Sequence, residues 1–181
     1  MAVGKSIITA QMSADASIGP DIGWYTPGGE HEADSEDDLR LAGAMLLGRK
    51  TYEALAPIWT ATTGPYAEMV NAMPKYVAST GPIGTLAWNA TPLKGDLAEE
   101  VRRLKAEHAG NLLTYGCGEF AFALVRLGLA DEVHFWVHPV VWSEPDRPFH
   151  GLGHVRMRLK DATVYRNGVI RQRYEPLSVD E

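Results

Sequence analysis

Two short glycine-bearing segments hold most of the residues whose types and spacing suit chemistry. Gly48-Arg49-Lys50-Thr51 follows the apolar run Ala44 to Leu47 and precedes Tyr52, Leu55 and Ala56 at helical spacing. A turn from strand into helix leaves backbone N–H groups free, and with two cations and a hydroxyl beside them it meets the needs of a phosphate. The same tetrapeptide also reads as a tight turn with solvated charges, and by itself it leaves both roles open. Gly116-Cys117-Gly118, ahead of Glu119 and Phe120, is similar in kind: absent side chains let the backbone approach a pyrophosphate, or simply let the chain enter a helix. It is neither a full GxGxxG nor a GxxxxGK[ST] motif. His134 and His138 share a strand face about 13 Å apart, too far to chelate one metal, so no metal site is expected. His150 and His154 flank glycines, where they would touch a phosphorylated substrate or stand as solvated loop residues.

The elements that must position these residues alternate. Lys5 to Met12 reads as a strand, and a long Gly- and Pro-rich loop follows through residue 34, carrying Trp24 and Tyr25. Ser35 is the expected N-cap of a short helix, and residues 49 to 56 form another, ended by Pro57. A helix is expected over 65 to 73 and a strand over 75 to 79. Asp96 with Glu99 caps the clearest helix, striped by Leu97, Val101 and Leu104 and ending near Gly110. Leu112 to Tyr115 is a buried strand, and a helix through Phe120, Ala123, Leu124 and Leu127 follows the second glycine turn. Strands are expected at 132 to 142, around Val155 to Lys160, and after Gly168 to about Tyr174. Early alternation and late clustering of strands predict an α/β domain whose sheet is largely parallel with an antiparallel hairpin at one edge.

The chain has 181 residues, which suits one domain spanning 1–181, and 45% apolar with 22% charged residues is ordinary globular composition. Seventeen basic against 23 acidic residues leave a net charge of −6, which argues against nucleic acid or an anionic membrane as partner. An anionic ligand must therefore meet a local basic site. One cysteine permits no internal disulfide, and no apolar stretch is long enough for a membrane span or a signal peptide, so a cytoplasmic protein is expected.

Taken with Ile8-Thr9-Ala10-Gln11 and the segment Ile18-Gly19-Pro20-Asp21-Ile22-Gly23-Trp24, the two glycine turns resemble the dihydrofolate-reductase superfamily. The stretch from Leu129-Ala130-Asp131-Glu132-Val133 through Pro139-Val140-Val141 to Phe149 is more similar to the branch containing the reductase domain of bacterial riboflavin biosynthesis. The resemblance runs from about Lys5 to Tyr174. It implies a three-layer domain with a central sheet of about eight strands. It also implies hydride transfer from NADPH, or from NADH, to a pterin-like, pyrimidine or other conjugated heterocycle. Carried over residue by residue, Gly48, Arg49, Lys50 and Thr51 would face the cofactor phosphates, Ser79 and Thr80 the adenosine-side phosphate, and Gly116, Cys117, Gly118, Glu119 and Phe120 the pyrophosphate. Ala10, Ile18 and Gly19 would lie beside the nicotinamide. Trp24 and Trp59 fall near the implied cleft, where they would sandwich the substrate ring.

The departures from that pattern are informative. An arginine after the strand at 75 to 79, which in relatives pairs with the 2′-phosphate, is replaced by Ser79-Thr80-Gly81-Pro82, so NADH enters as an alternative cofactor. Cys117 stands where Gly or Ser is common and is read as space-filling. Trp142-Ser143-Glu144-Pro145-Asp146 lacks the usual glycines. Reduction of a C=N bond needs a proton at nitrogen, and a carboxyl group can supply it. Glu30, Glu32 and Asp34 follow Trp24, while Asp15 matches the Asp of a Ser-x-Asp-Gly segment with Ala16 in place of the glycine. Asp15 and Glu32 are the catalytic candidates, with an Asx-turn role open for Asp15. The same scaffold also suits a non-catalytic nucleotide- or heterocycle-binding protein. A third possibility is an assembly domain, and a homodimer paired through the aromatic strand 133 to 142 is expected in each case.

Overall fold

A computed structural model describes residues 4–18 and 23–177. The elements follow in the order β1 (Ser6–Ser13), α1 (Glu30–Arg40), β2 (Ala42–Gly48), α2 (Arg49–Ala61), α3 (Pro65–Ala72), β3 (Lys75–Ala78), β4 (Ala90–Pro92), α4 (Leu97–Glu107), β5 (Asn111–Tyr115), α5 (Glu119–Arg126), β6 (Glu132–His138), β7 (Met157–Val164) and β8 (Ile170–Pro176). They build one eight-stranded sheet in the order β4-β3-β2-β5-β1-β6-β8-β7. The strands from β4 to β6 pair in parallel, and only β6–β8 and β8–β7 are antiparallel. This is the dihydrofolate-reductase-like architecture the sequence implies.

Strand pleating divides the core in two. Ile8, Ala44, Leu46, Leu112 and Val133 face one side, where Val101 and Leu104 of α4 and Ala121, Leu124 and Val125 of α5 cover them. Ile7, Met45, Leu47, Val77 and Leu113 face the other, beneath Leu39 of α1, Tyr52 of α2 and Val70 of α3. With both faces covered, the central strands read as nearly continuous apolar runs. The α4 cap forms as its sequence predicts, Asp96 Oδ1 accepting the Glu99 amide at 3.0 Å.

Four expectations are corrected. Helix α1 starts at Glu30, behind Gly29 at φ 100°, and Ser35 lies mid-helix with its hydroxyl 3.2 Å from the Tyr66 hydroxyl. Helix α2 continues through Pro57 to Ala61, because Pro57 and Glu53, whose carbonyl loses its amide partner to the proline, are both exposed and water can take that bond. Strand β6 stops at His138, before Pro139, rather than reaching Trp142. It is also flanked by β1 and β8 and almost wholly buried, so it offers no free edge for pairing across a two-fold axis. The short strand β4 has no counterpart in the sequence reading.

A buried charged chain crosses the sheet. Glu132, 4% exposed, accepts from Lys5 and Lys160 Nζ, each at 2.7 Å. His134 Nε2 lies 2.8 Å from Glu132, and its Nδ1 lies 3.2 Å from Arg171 Nη2. A guanidinium can only donate, so Nδ1 accepts and the proton sits on Nε2, directed at Glu132. Arg171 continues to Asp38 Oδ2 at 2.6 Å, fixing α1 against β8.

Candidate functional site

Both glycine turns lie at the carboxyl ends of adjoining parallel strands, β2 and β5, where open α/β sheets form their clefts. Two cavities open there. The first, about 930 Å³, is lined by Gly48 to Thr51, Ser79, Thr80 and Gly116 to Phe120, and also by Ile18, Arg147 and His150. The second, about 820 Å³, is lined by Ala10, Gln11, Trp24, Tyr25, Glu32, Asp38, Trp59, Tyr66 and their neighbours. Ile18, Thr51, Tyr115, Gly116 and Cys117 line both, so the two cavities meet at the end of β5.

The first cavity fits a dinucleotide by its backbone. Helices α2 and α5 start at Gly48 and Gly118, and neither has a side-chain cap. Their first N–H groups are therefore free to bind an anion at the positive ends of two helix dipoles. A Cβ at Gly48 would stand 2.8 Å from Phe120 Cβ, so the glycine is needed for α5 to approach β2. Gly116 holds φ 89°, a conformation L side chains rarely adopt, and Gly118 faces open space. Arg49 Nη1 donates to Pro82 O at 3.2 Å while its Nε donates to Glu53 at 2.7 Å. A guanidinium thus stands against the 79–82 loop, supplied by α2 instead of the loop itself. Ser79 Oγ closes a turn onto Gly81, accepting its amide at 3.3 Å. Burial pushes the Cys117 thiol up to about 12, only partly opposed by the Phe149 backbone amide, so Cys117 is a protonated, space-filling side chain.

The second cavity combines aromatic walls with hydroxyls and a carboxylate. Trp59 stacks on Tyr66 at a centroid distance of 5.6 Å, and buried Trp24 meets the His138 ring edge-on at 5.4 Å. Ser35, Tyr66 and Tyr115 form a hydroxyl chain with successive O···O distances of 3.2 Å. Glu32 accepts the Tyr25 hydroxyl at 3.2 Å, and burial together with the Glu32 charge raises the Tyr25 pKa well above its ordinary value. Burial works against the Asp38 charge, but the Arg171 guanidinium more than offsets it and holds its carboxyl low. Burial likewise brings His138 down to about 4, leaving it neutral, with Nδ1 accepting the Thr26 amide at 3.0 Å and Nε2 at 2.8 Å from Gln11.

Of the residues singled out in the sequence, those assigned to phosphates border the first cavity, while Ala10, Glu32, Trp24 and Trp59 border the second. Gly19 lies outside the described residues. Asp15 borders neither cavity. Its carboxylate accepts from Ser13 Oγ at 2.5 Å, Trp142 N at 3.0 Å, Ser143 N at 2.9 Å and Ser17 Oγ at 3.1 Å, and these donors hold it well below the usual carboxylate range. A carboxylate so firmly ionised is a poor proton donor, and Asp15 instead pins the loop after β1 to the 142–147 loop. Ala16, which replaces the glycine of the related segment, and Ser143, within the segment that lacks the usual glycines, take the left-handed conformation at φ 60° and 62°. His150 borders the first cavity, and His154 borders neither. Among the described residues, no group of three or more His, Cys, Asp or Glu could hold a metal ion. No helix of the described residues is long and apolar enough to cross a membrane.

The sequence reading missed Tyr115, Tyr66, Ser35 and Asp38. Tyr115 alone had a local signal, since it directly precedes Gly116 at a strand end.

Known proteins place this arrangement. The RibD C-terminal domain family matches residues 5–171. The chain belongs to that family. It is 24% identical over 141 residues to "Uncharacterized protein YyaP" of Bacillus subtilis, covering 75% of this chain and 74% of that protein. A 99-residue match at 34% identity to Contactin-3 of Rattus norvegicus covers 50% of this chain but 9% of that protein. Among solved structures, a Shewanella sp. PV-4 protein assigned to riboflavin biosynthesis superposes with TM-score 0.71 at 17% identity, covering 96% of this chain and 99% of its own. The deaminase/5-amino-6-(5-phosphoribosylamino)uracil reductase of Thermotoga maritima gives 0.67 at 12% identity, with 96% of this chain and 57% of that one covered. Dihydrofolate reductase of Enterococcus faecalis, complexed with NADP(H), gives 0.53 at 13% identity, with 94% and 96% covered. At these identities the structural likeness shows the fold. Membership of the RibD C-terminal domain family supports a reductase-type function.

Proposed function

We propose that this protein is an NAD(P)H-dependent reductase that delivers hydride to a conjugated nitrogen heterocycle. The observation that carries the reading is the junction of two unlike cavities at Ile18, Thr51, Tyr115, Gly116 and Cys117. One is edged by uncapped helix N-termini with Arg49, Lys50 and Arg147 beside Glu119 and Asp146, the other by aromatic rings and the carboxylates Glu32, Glu36 and Asp38.

The bound nicotinamide would supply the hydride. Gly48, the α2 and α5 amides, Arg49, Lys50 and Thr51 would hold its phosphates, concentrating the few cations of an acidic chain at one place. Arg49, reaching the 79–82 loop, would stand in for the arginine that loop lacks and favour NADPH. Trp24, Trp59 and Tyr66 would orient the ring and exclude water. Glu32 would hold the polar edge of the ring, and the Ser35–Tyr66–Tyr115 hydroxyls are placed to pass a proton.

Parallel titration with NADPH and NADH, read by tryptophan fluorescence and by melting temperature, tests this reading. Saturable binding of NADPH, lost in an Arg49→Ala, Lys50→Ala double variant, is expected. Absence of response to either nucleotide at millimolar concentration in folded protein would overturn it. Binding without turnover across a heterocycle panel would assign the fold to a non-catalytic binding role.

A further inference from the structure

Strand β1 supplies part of the floor of the second cavity. Six of its eight residues are buried, and the two that are only half-buried, Thr9 and Gln11, both border that cavity. They stand two apart and so share a face of the sheet. The hydrogen-bonding atoms they offer are fixed from behind by β6. In register Gln11 pairs with Trp136 and Ser13 with His138, and each β6 side chain reaches diagonally back by two residues along β1. Trp136 Nε1 donates to Thr9 Oγ1 at 3.0 Å. The Thr26 amide donates to His138 Nδ1 at 3.0 Å. A backbone amide can only donate, so the ring proton sits on Nε2, directed at Gln11 Oε1 2.8 Å away. Burial brings His138 down to about 4 and keeps the ring neutral, as this pattern requires.

Both side-chain oxygens therefore already accept a hydrogen bond from within the protein. The Thr9 hydroxyl hydrogen and the Gln11 NH2 group have no acceptor among the described residues. Trp24, 3% exposed and bordering the same cavity, also keeps an indole N–H without a partner. The unmet need of this floor is for acceptors. Carbonyl oxygens on a flat ring meet it, whereas amino groups at the same positions would turn their own N–H bonds toward these donors and leave them unpaired.

Resting on the reading above that the second cavity takes the substrate, we infer that Thr9 and Gln11 determine its specificity by donating to ring carbonyls. The substrate is an oxo-substituted heterocycle, and the cavity discriminates against amino-substituted counterparts because these leave the donors of the floor unsatisfied.

The test is equilibrium binding to the NADPH-loaded full chain at pH 7, read by tryptophan quenching and by competition. The probes are pteridine-2,4-dione and 2,4-diaminopteridine, which carry carbonyl or amino groups at the same two positions. The dione is expected to bind at least about 10-fold more tightly. Gln11→Glu keeps the size and the oxygen that His138 binds, but exchanges the NH2 donor for an acceptor, and it should narrow this ratio about 10-fold or invert it. Thr9→Ser retains a hydroxyl and should keep the wild-type ratio, while Thr9→Val should narrow it several-fold. Thr9→Val also strands the buried Trp136 N–H, so melting curves accompany each titration, and Gln11→Glu decides the outcome where Thr9→Val does not fold. A wild-type preference for the diamine overturns the inference, as does a ratio unchanged in folded Gln11→Glu protein. Failure of both probes to bind a protein that still binds NADPH overturns it too. Failure of wild-type protein to bind NADPH is a different result and removes the proposed function itself.

Discussion

Glu132→Gln isolates the charge at the centre of the buried chain that ends on Asp38. Burial alone would raise the Glu132 pKa, but donors from Lys160, Lys5 and His134 outweigh it and bring the carboxyl down to about 2 from an ordinary 4.5. At 1.36 kcal/mol per pH unit, that depression makes ionised Glu132 worth about 3 kcal/mol of folding stability at neutral pH. Lys5 and Lys160 are themselves 53% and 37% exposed, and solvent screening of these cations lowers the expectation to about 2–3 kcal/mol. Glutamine imitates the protonated acid, so the variant should lose this amount, or roughly 4–12 °C in Tm for a chain of this size. Because the folded pKa is depressed, the contribution is fully present above about pH 4.5 and disappears as pH falls through about 2. At pH 3 less than about half of it should remain. His138, brought down to about 4 by burial, destabilises the fold as acid increases, but it does so in both chains and cancels in their difference. Urea unfolding of both proteins at pH 7 and pH 3 reads this out. A variant that matches wild type at pH 7 within experimental spread, or a stability gap that does not shrink at pH 3, would refute the reasoning.

Three further perturbations probe separate links. Ala16→Gly relieves a left-handed alanine at φ 60°, a strain of about 1–2 kcal/mol partly offset by added unfolded-state entropy, and should raise Tm by roughly 1–3 °C; a lower Tm counts against the strain. Cys117, 3% exposed and with its thiol pushed up to about 12, should react with an aromatic disulfide at pH 8 about 1,000-fold more slowly in folded than in urea-unfolded protein, and fast labelling of the folded chain would contradict its burial. Asn167→Ala removes the amide that donates to Gly28 O at 2.9 Å and lies 3.0 Å from His31 Nδ1, so it should loosen the start of α1 and weaken heterocycle binding several-fold while NADPH binding holds; parallel titrations would show the split.

The last of these perturbations also explains what the sequence could and could not reveal. The glycine turns, the Asp96 cap and the alternation of strands and helices are local patterns, and local patterns sufficed for the sheet, for the glycine-turn elements that line the first cavity and for the family. The first cavity is legible in part because three of its walls are contiguous segments, 48–51, 79–81 and 116–121, while Ile18, Arg147 and His150 join them from elsewhere in the chain. The second cavity is assembled from α1, α2, α3 and the ends of β1 and β5, and it depends on where α1 begins. That start has no strong local signal. Gly29 permits the turn, but Asn167, Tyr165 and Arg171 in the C-terminal hairpin hold it by binding Gly28 and His31, then Asp34 at 2.5 Å, then Asp38 at 2.6 Å. Partners more than 130 residues away decided that residues 30 to 34 are helix rather than loop, placing Glu32 on the cavity wall and Ser35 within reach of Tyr66. The same distance explains Asp15. Ser13 is a local donor to it, but the loop it pins is reached through the amides of Trp142 and Ser143, which no reading of Ser13-Ala14-Asp15-Ala16 alone could supply. The glycine-turn half of this cleft is thus written largely in consecutive residues, while the aromatic half is written in contacts across the chain, so on the proposed function variation in the C-terminal hairpin should alter heterocycle binding more than NADPH binding.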